Sequence, residues 1–197
     1  MNAYLCLESA SIPWALNSPL KISMKLEQRI QQVRLIISDV DGVLTDGGIT
    51  FDNQGIESKK FHVRDGMGIK LWQKTGHHFA ILTARSSHIV KVRAAELKIP
   101  IVRQGFEDKL PVAKQIIEEL DLAPENVCYI GDDLTDLRVM NTVGFAVAVA
   151  DAAAEVREAA HFVTKLPGGH GAVRELTEKI LQAQKRWSEL VRNYVGT

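Results

Sequence analysis

The sequence has few cysteines, no surplus of charge and no long apolar run, and each absence excludes a class of protein. Its 197 residues include two cysteines, Cys6 and Cys128, which is too few for a disulfide-rich secreted domain or a cysteine-ligated zinc site. Basic and acidic residues number 24 each, so no basic surplus is available to bind nucleic acid or an anionic membrane surface. No stretch reaches the roughly 18 apolar residues that a membrane span requires. We therefore expect a cytoplasmic protein with no nucleic-acid or membrane partner.

One domain of ordinary size accounts for most of the chain. The apolar fraction of 46% is enough to form a core, and no internal repeat or low-complexity segment divides the sequence. Residues 1–23 contain Pro13 and Pro19 and lack the basic start of a signal peptide, whereas a helical pattern begins at Met24. We therefore predict a loosely ordered extension over residues 1–23, with Met24 as an alternative start, and a single domain over residues 24–197.

Short apolar runs alternate with amphipathic helical patterns after residue 33. The helical patterns include residues 65–75, 88–97 and 172–194. Strands that are apolar throughout are typical of a parallel sheet covered on both faces, so the fold class is α/β, with a Rossmann-like sheet between helices. Residues 49–61 interrupt the alternation and predict a β-hairpin inserted after the first strand. The strand candidates are residues 35–37, 79–82, 101–102, 127–130 and 145–149.

The first polar motif directly follows the first predicted strand. Asp39 and Asp41 stand one residue apart, just before Gly42. Ligands bind beyond the carboxyl ends of the strands in an open parallel sheet, so both carboxylates are expected at the binding edge. Two carboxylates this close repel each other unless a cation neutralises them. The alternative is a turn that is merely rich in Asp and Gly.

A second acidic motif follows the strand predicted at residues 127–130. Asp132, Asp133 and Asp136 bring further carboxylates to the same edge of the sheet. Hard oxygen ligands of this kind suit Mg²⁺, which binds a few carboxylates together with water and substrate phosphate. A helix start with acidic caps would explain Asp133 equally well. The two acidic motifs together predict a magnesium site.

Two further polar side chains stand where a phosphate group would lie. Thr83 follows the strand predicted at residues 79–82, and a hydroxyl with backbone N–H groups at a helix start can bind phosphate. Lys109 opens the helix that follows the next strand. Taken alone, Thr83 is equally a helix cap and Lys109 a solvated surface residue. Their place in the series of motifs favours a phosphate site.

This ordered set of motifs resembles that of the haloacid dehalogenase superfamily, over residues 34–136. The resemblance implies that Asp39 is the nucleophile that takes the phosphoryl group. It implies that Asp41 protonates the leaving alcohol and then deprotonates the water that hydrolyses the aspartyl phosphate. Thr83 and Lys109 would bind the phosphoryl oxygens.

The same resemblance assigns the metal ligands. Mg²⁺ would be held by Asp39, by the backbone carbonyl of Asp41 and by Asp132, with Asp136 acting directly or through other ligands. Relatives that must preserve the phosphoenzyme have Thr at the position of Asp41. Aspartate at this position therefore favours hydrolysis and a phosphoric monoester hydrolase.

A narrower resemblance points to the capless members that carry a hairpin, the 3-deoxy-D-manno-octulosonate 8-phosphate phosphatases. It covers nearly all of residues 24–190 and is carried by residues 62–69, 83–86 and 168–175. The segments between the motifs leave no room for a cap domain. In that family, hairpins from four subunits pack together and the Gly-rich stretch helps to close a neighbour's site, which implies a homotetramer. A flexible link is the alternative for residues 168–171.

Arginines near the motifs are the candidates for holding a sugar acid, because a guanidinium group can bind a carboxylate in bidentate fashion. Arg85 is informative, since relatives that act on nine-carbon sugar-acid 9-phosphates tend to have Glu at that position. Arg93 is equally an ordinary helix-surface residue. The candidate substrate-binding residues are Arg64, Asp65, Gly66, Lys70, Arg85 and Arg93.

Three functions remain open from the sequence. The first is a Mg²⁺-dependent phosphatase that acts on the eight-carbon sugar-acid phosphate in lipopolysaccharide sugar synthesis. The second is the same chemistry on a nine-carbon sugar-acid 9-phosphate. The third is a catalytically silent domain that forms oligomers, against which the complete set of motifs argues.

Overall fold

A parallel sheet forms the centre of the molecule, in a computed structural model that describes residues 25–195. The predicted extension over residues 1–23, the start at Met24 and the residue Cys6 lie outside the described residues. The strands are β1 (Leu35–Ser38), β2 (Thr50–Phe51), β3 (Glu57–Ser58), β4 (His78–Thr83), β5 (Ile101–Gln104), β6 (Val127–Gly131), β7 (Phe145–Ala148) and β8 (Phe162–Val163).

The sheet has the order β5-β4-β1-β6-β7-β8, and all of its strand pairs are parallel. Strand β1 is central, and every residue of β1, β6 and β7 is buried. Complete burial means that side chains on both faces are covered, which is why these strands are apolar throughout. The predicted parallel α/β fold is confirmed.

Helices cover the sheet in two groups. Helices α1 and α2 pack against α7, while α4, α5 and α6 pack in sequence with one another. A parallel crossover needs a helix between successive strands, and this accounts for the alternation in the sequence. The helices of residues 25–195 are α1 (Leu26–Gln31), α2 (Val63–Lys74), α3 (His88–Glu96), α4 (Lys109–Glu119), α5 (Leu137–Met140), α6 (Ala154–Ala159), α7 (Ala172–Ala183) and α8 (Trp187–Val195).

One local prediction was wrong, and one helix cap has an unexpected hydrogen-bond partner. The single helix predicted over residues 172–194 is broken between α7 and α8, where Lys185 adopts a left-handed φ of 59°. Ser87 is the N-cap residue of α3, but its hydroxyl makes no capping hydrogen bond and instead donates to Glu57. The apolar pattern could not reveal either feature, because one depends on a backbone reversal and the other on a distant partner.

The predicted hairpin is present and is short. Strands β2 and β3 pair antiparallel, and Gly55 in the turn has a φ of 77°. Between Asp41 and Thr83 the chain forms only this hairpin, α2 and β4, so residues 25–195 contain no cap domain. The active edge of the sheet is therefore covered by the hairpin rather than by a separate lid.

Cys128 lies in β6 and is a buried free thiol. Burial raises the pKa of this thiol well above its ordinary value. Among the described helices, none is both long enough and apolar enough to cross a bilayer.

Candidate active site

Asp39 lies immediately beyond the carboxyl end of β1 and is held by hydrogen bonds on both carboxylate oxygens. Oδ1 accepts from the backbone N–H of Val40 at 2.6 Å, and Oδ2 accepts from Lys109 Nζ at 2.6 Å. Burial and the neighbouring charge of Asp136 raise the pKa of Asp39 to about 6, although Lys109 partly opposes the shift. The predicted nucleophile is therefore fixed in position and crowded by negative charge.

Lys109 opens α4 and reaches down to the carboxylates at the sheet edge. Its side chain is only 1% exposed, and Nζ lies 2.6 Å from both Asp39 Oδ2 and Asp136 Oδ1. Burial alone would lower the pKa of Lys109, but the charges of Asp39 and Asp136 outweigh burial and raise it. Lys109 is thus a buried, charged member of the site, and the reading of it as a solvated surface residue was wrong.

Asp136 is buried beside Asp39 and accepts four hydrogen bonds from the surrounding groups. Its Oδ1 accepts from Lys109 and from the Tyr129 hydroxyl at 2.6 Å, and its Oδ2 accepts from the backbone N–H groups of Asp132 and Asp133 at 2.9 and 3.2 Å. These four hydrogen bonds use both carboxylate oxygens. Asp136 therefore positions Lys109 and the loop after β6.

Asp132 follows β6, the strand that pairs directly with β1. Burial raises the pKa of Asp132 to about 8, and repulsion by Asp136 and Asp39 adds to the shift. Asp133, by contrast, is exposed and accepts from the Leu134 backbone N–H, which is the helix-capping role considered for it. The two adjacent aspartates thus divide into one site residue and one cap.

Thr83 ends β4 on the other side of β1 and is 2% exposed. Its carbonyl accepts from the backbone N–H groups of Gly105 and Phe106, at 3.1 and 3.3 Å, which ties the end of β4 to the loop before α4. The N-cap residue of α3 is Ser87, so the reading of Thr83 as a helix cap was wrong. Thr83 stands at the same edge of the sheet as Asp39.

Asp41 faces the hairpin. Its Oδ1 forms an ion pair with Lys59, whose side chain is 1% exposed, and its Oδ2 lies 3.6 Å from Arg85 Nε. Arg85 also donates to Glu57 at 2.9 Å. The carboxylate predicted to transfer protons is therefore held by a lysine from the hairpin segment and an arginine from the loop after β4.

Sequence reasoning missed Lys59, Glu57 and Tyr129. Tyr129 was read as part of an apolar strand, and its hydroxyl partner could not be seen from the sequence. Glu57 and Lys59 did carry a signal, since residues two apart on a strand share a face and the hairpin follows the nucleophile motif. That signal could have placed both side chains toward the site.

Asp65 and Gly66, predicted to bind substrate, have packing roles within this chain. Asp65 is 2% exposed, and its Oδ1 accepts from the Arg174 backbone N–H at 2.7 Å, which caps the start of α7. A Cβ on Gly66 would lie 2.5 Å from Arg93 Nη2, so the glycine lets the arginine side chain pass. Burial raises the pKa of Asp65, and the Arg174 N–H opposes the shift.

The other predicted substrate residues point elsewhere within one chain. Arg93 forms an ion pair with Glu96 at 2.7 Å, and Arg64 and Lys70 are exposed. Among residues 25–195, Arg85 is the predicted substrate residue with an ion pair to Asp41. Binding by the others requires a substrate that extends beyond the carboxylate cluster.

Two glycines of the Gly-rich stretch pack against the nucleophile loop of the same chain. Gly169 donates its backbone N–H to the carbonyl of Val43 at 2.9 Å, and a Cβ on Gly168 would lie 1.8 Å from the Gly42 carbonyl oxygen. Both glycines are buried. At these positions the stretch is a packed support for the loop, so the reading of it as a flexible link was wrong here.

The carboxylates at the sheet edge suit a divalent cation. Ligand atoms of Asp39, Asp132 and Asp136 lie within 4.8 Å of one another. These three carboxylates outnumber the single ammonium group of Lys109, so negative charge remains uncompensated. Gly42, at a φ of 80°, brings the backbone that follows Asp41 against Asp132. This fits the expected ligand set of two aspartates and the Asp41 carbonyl, with oxygen donors of the kind that Mg²⁺ prefers.

The raised pKa of Asp132 gives a prediction for the metal-free protein. A carboxyl group whose pKa is higher in the folded state destabilises the fold once it ionises, so stability is lost as the pH rises from near 3.8 through about 8. In a chelator, the variant Asp132→Asn should therefore unfold at a higher temperature than the unaltered protein at pH 8, with the difference shrinking toward pH 5. In excess Mg²⁺ the order should reverse, so that the unaltered protein unfolds at a higher temperature than Asp132→Asn.

The neighbouring variant Asp133→Asn is the matched control for this measurement, because Asp133 is exposed and asparagine caps helices as well as aspartate does. Its difference from the unaltered protein should be much smaller than that of Asp132→Asn, because the Asp133 charge raises the pKa of Asp132 less than burial, Asp136 and Asp39 do. A difference for Asp132→Asn that does not change with pH would contradict the assigned charge balance.

Comparison with known proteins identifies the family. A family model described as haloacid dehalogenase-like hydrolase matches residues 92–176. The 3-deoxy-D-manno-octulosonate 8-phosphate phosphatase of Escherichia coli strain K12 is 44% identical over 168 residues, which cover 85% of this chain and 89% of that protein.

Solved structures give the same result. The phosphatase of that name from Yersinia pestis aligns with a TM-score of 0.82 and 45% identity, over 83% of this chain and 88% of that one. The one from Moraxella catarrhalis, in complex with a magnesium ion, a phosphate ion and a KDO molecule, aligns with a TM-score of 0.84 and 37% identity, over 85% and 97% of the two chains. The chain therefore belongs to the haloacid dehalogenase-like hydrolases, in the family of the 3-deoxy-D-manno-octulosonate 8-phosphate phosphatases.

Proposed function

We propose that this chain is a Mg²⁺-dependent phosphatase that hydrolyses 3-deoxy-D-manno-octulosonate 8-phosphate to the free sugar acid and phosphate. The observation that carries the proposal is the position of Asp39, held by Lys109 in a carboxylate cluster that fits a divalent cation. The identity of 44% to a phosphatase of this name, over most of both chains, supports the choice of substrate.

In the first step, a carboxylate oxygen of Asp39 attacks phosphorus and the bond from phosphorus to the sugar oxygen breaks. Asp41 gives its proton to that leaving oxygen, because an alkoxide is a poor leaving group. Lys109 and Thr83 contact the oxygens of the phosphoryl group as it moves. The products are the free sugar acid and an aspartyl phosphate on Asp39.

In the second step, water attacks the phosphorus of the aspartyl phosphate. Asp41, now ionised, takes a proton from the water, and the bond from phosphorus to Asp39 breaks. Phosphate leaves, and both aspartates return to their starting states. One residue therefore acts as acid and then as base, which requires that Asp41 stay close to phosphorus in both steps.

Mg²⁺, when bound, screens the charge between the phosphate and the attacking carboxylate. Asp39, Asp132 and the Asp41 carbonyl are the groups that would hold the ion. The magnesium ion in the Moraxella catarrhalis structure supports Mg²⁺ as the cofactor.

Recognition of the sugar acid belongs to Arg85 in this proposal. Its side chain is 45% exposed and lies beside Asp41, so it can reach a substrate whose phosphate occupies the cluster. Arg64, Lys70 and Arg93 lie outside the cluster and are available to a substrate held between subunits. A homotetramer in the cytoplasm completes the proposal.

The hairpin supports self-association. Ile49, Phe51 and Ile56 are 43%, 56% and 59% exposed, which is a large apolar surface for a short hairpin. Exposed apolar patches of this kind mark sites of protein association. Four hairpins that pack together would cover these side chains.

Replacement of the nucleophile tests the chemistry. The variant Asp39→Asn should lose at least about a thousandfold in kcat, because the amide cannot form the aspartyl phosphate. Its fold should persist, as judged by circular dichroism and thermal unfolding. Asp121→Asn, which alters an exposed aspartate with a φ of 51° at the end of α4, is the control and should keep full activity. Full turnover by Asp39→Asn would refute the nucleophile assignment.

Phosphate release from a panel of sugar phosphates, with Mg²⁺ and with a chelator, tests the substrate. The eight-carbon sugar-acid 8-phosphate should be preferred over the nine-carbon 9-phosphate by at least about tenfold in kcat/KM. The chelator should abolish both activities. A preference for the nine-carbon ester would establish the alternative substrate, and no release from any ester would favour the silent domain.

Sedimentation analysis tests the assembly. The unaltered protein should sediment as four chains, and Phe51→Glu should shift it toward single chains because a charge cannot be buried unpaired in the hairpin contact. Val92→Glu, which alters an equally exposed apolar residue on α3, is the control and should leave the assembly unchanged. A monomeric unaltered protein would remove the tetramer from the proposal.

A further inference from the structure

We propose that Lys59 is a positioning residue for Asp41, so that the hairpin of the same chain completes the catalytic machinery. Lys59 comes directly after β3, and its ammonium group forms an ion pair with Asp41 Oδ1. The inference rests on the proposed phosphatase function and assigns to the hairpin a role beyond self-association.

The burial of Lys59 is the first argument. Its side chain is 1% exposed, although the hairpin itself lies at the surface. Lysine is almost never buried unless it is paired, because removing an ammonium group from water is unfavourable. The partners are Asp41 and the Glu57 carboxylate, whose Oε1 lies 3.4 Å from Lys59 Nζ.

The second argument is that Glu57 connects Lys59 to Arg85, the residue proposed to bind the sugar acid. Glu57 accepts from Arg85 Nη2 at 2.9 Å and from Ser87 Oγ at 2.7 Å. Arg85 in turn lies 3.6 Å from the second oxygen of Asp41. Two cations and two carboxylates therefore alternate in a closed ring, and their charges balance. Lys59 and Arg85 hold Asp41 from its two oxygens.

Lys59 and the next residue, Lys60, have opposite environments. Lys60 is exposed, with its side chain 68% accessible and paired to Asp46 at 2.6 Å. The hairpin thus turns one lysine toward the catalytic acid and base and the next toward solvent. Lys60 is therefore a matched control for Lys59, because the two lysines are adjacent in the chain and differ in burial.

The positioning role matters most when substrate is bound. Arg85 is then engaged by the sugar acid, and Lys59 remains as the side chain that fixes Asp41. Proton transfer requires Asp41 within hydrogen-bond reach of the leaving oxygen. Without Lys59, no hairpin side chain would hold Asp41 Oδ1, and the Asp41 side chain could rotate away from the leaving oxygen.

A salt bridge that only stabilises the fold would have the same geometry. The test must therefore distinguish an effect of Lys59 on proton transfer from an effect on folding. An alkyl phosphate such as the sugar-acid ester needs a proton on its leaving oxygen. The nitrophenolate released from p-nitrophenyl phosphate is a stable anion and needs none. Since kcat/KM reports the steps up to formation of the aspartyl phosphate, the two esters respond differently to a displaced Asp41.

The experiment compares Lys59→Met, Lys59→Gln and Lys59→Arg with Lys60→Met in the full-length protein with Mg²⁺. We expect the two neutral variants at Lys59 to lower kcat/KM for the sugar-acid ester by about a hundredfold while that for p-nitrophenyl phosphate changes little. They should also show a burst of nitrophenolate, because hydrolysis of the aspartyl phosphate still needs Asp41 as a base. Lys59→Arg should restore most of the activity, and Lys60→Met should match the unaltered protein.

Equal losses on both esters, or no loss on either, would overturn the proposal. Thermal unfolding and sedimentation identify variants that fail to fold or assemble. If neither neutral variant folds, Lys59 serves the fold and the proposal is also overturned. Failure of the proposed function is distinguishable, because the unaltered protein itself would then fail to release phosphate from the eight-carbon sugar-acid ester.

Discussion

A buried lysine between two carboxylates is the interaction on which the active edge of the sheet depends. Lys109 Nζ contacts Asp39 and Asp136 at 2.6 Å each, and Asp136 in turn holds the backbone of the loop after β6. These contacts join the end of β1, the end of β6 and the start of α4. One ammonium group cannot balance the three carboxylates, which include Asp132, so the fold itself creates a demand for a divalent cation.

The site divides into two parts with different charge. The carboxylate cluster around Lys109 carries excess negative charge, whereas the ring of Asp41, Lys59, Glu57 and Arg85 is balanced. Asp41, the proposed acid and base, is therefore held by charges that balance one another without a metal ion. The hairpin segment supplies Glu57 and Lys59 to the balanced part.

The sequence was sufficient for five of the six strands of the main sheet and for the residues at their ends, whereas β8 was not predicted. Apolar runs located five of the strands to within one or two residues, and the strand-end rule placed Asp39, Thr83 and Asp132 together. The sequence was not sufficient to predict contacts between side chains that are far apart in the chain. The ion pair of Lys59 with Asp41 and the capping of α7 by Asp65 depend on tertiary contacts that no local pattern encodes.

The contact between Gly168 and the Gly42 carbonyl has a consequence for how this domain can be divided. The loop that carries the nucleophile is supported by a segment that lies near the other end of the described chain, after the last strand of the sheet. A fragment ending before residue 168 would keep every motif aspartate and yet leave that loop without its backing. The loop that follows β1 therefore depends on packing with residues that come after every motif aspartate in the chain.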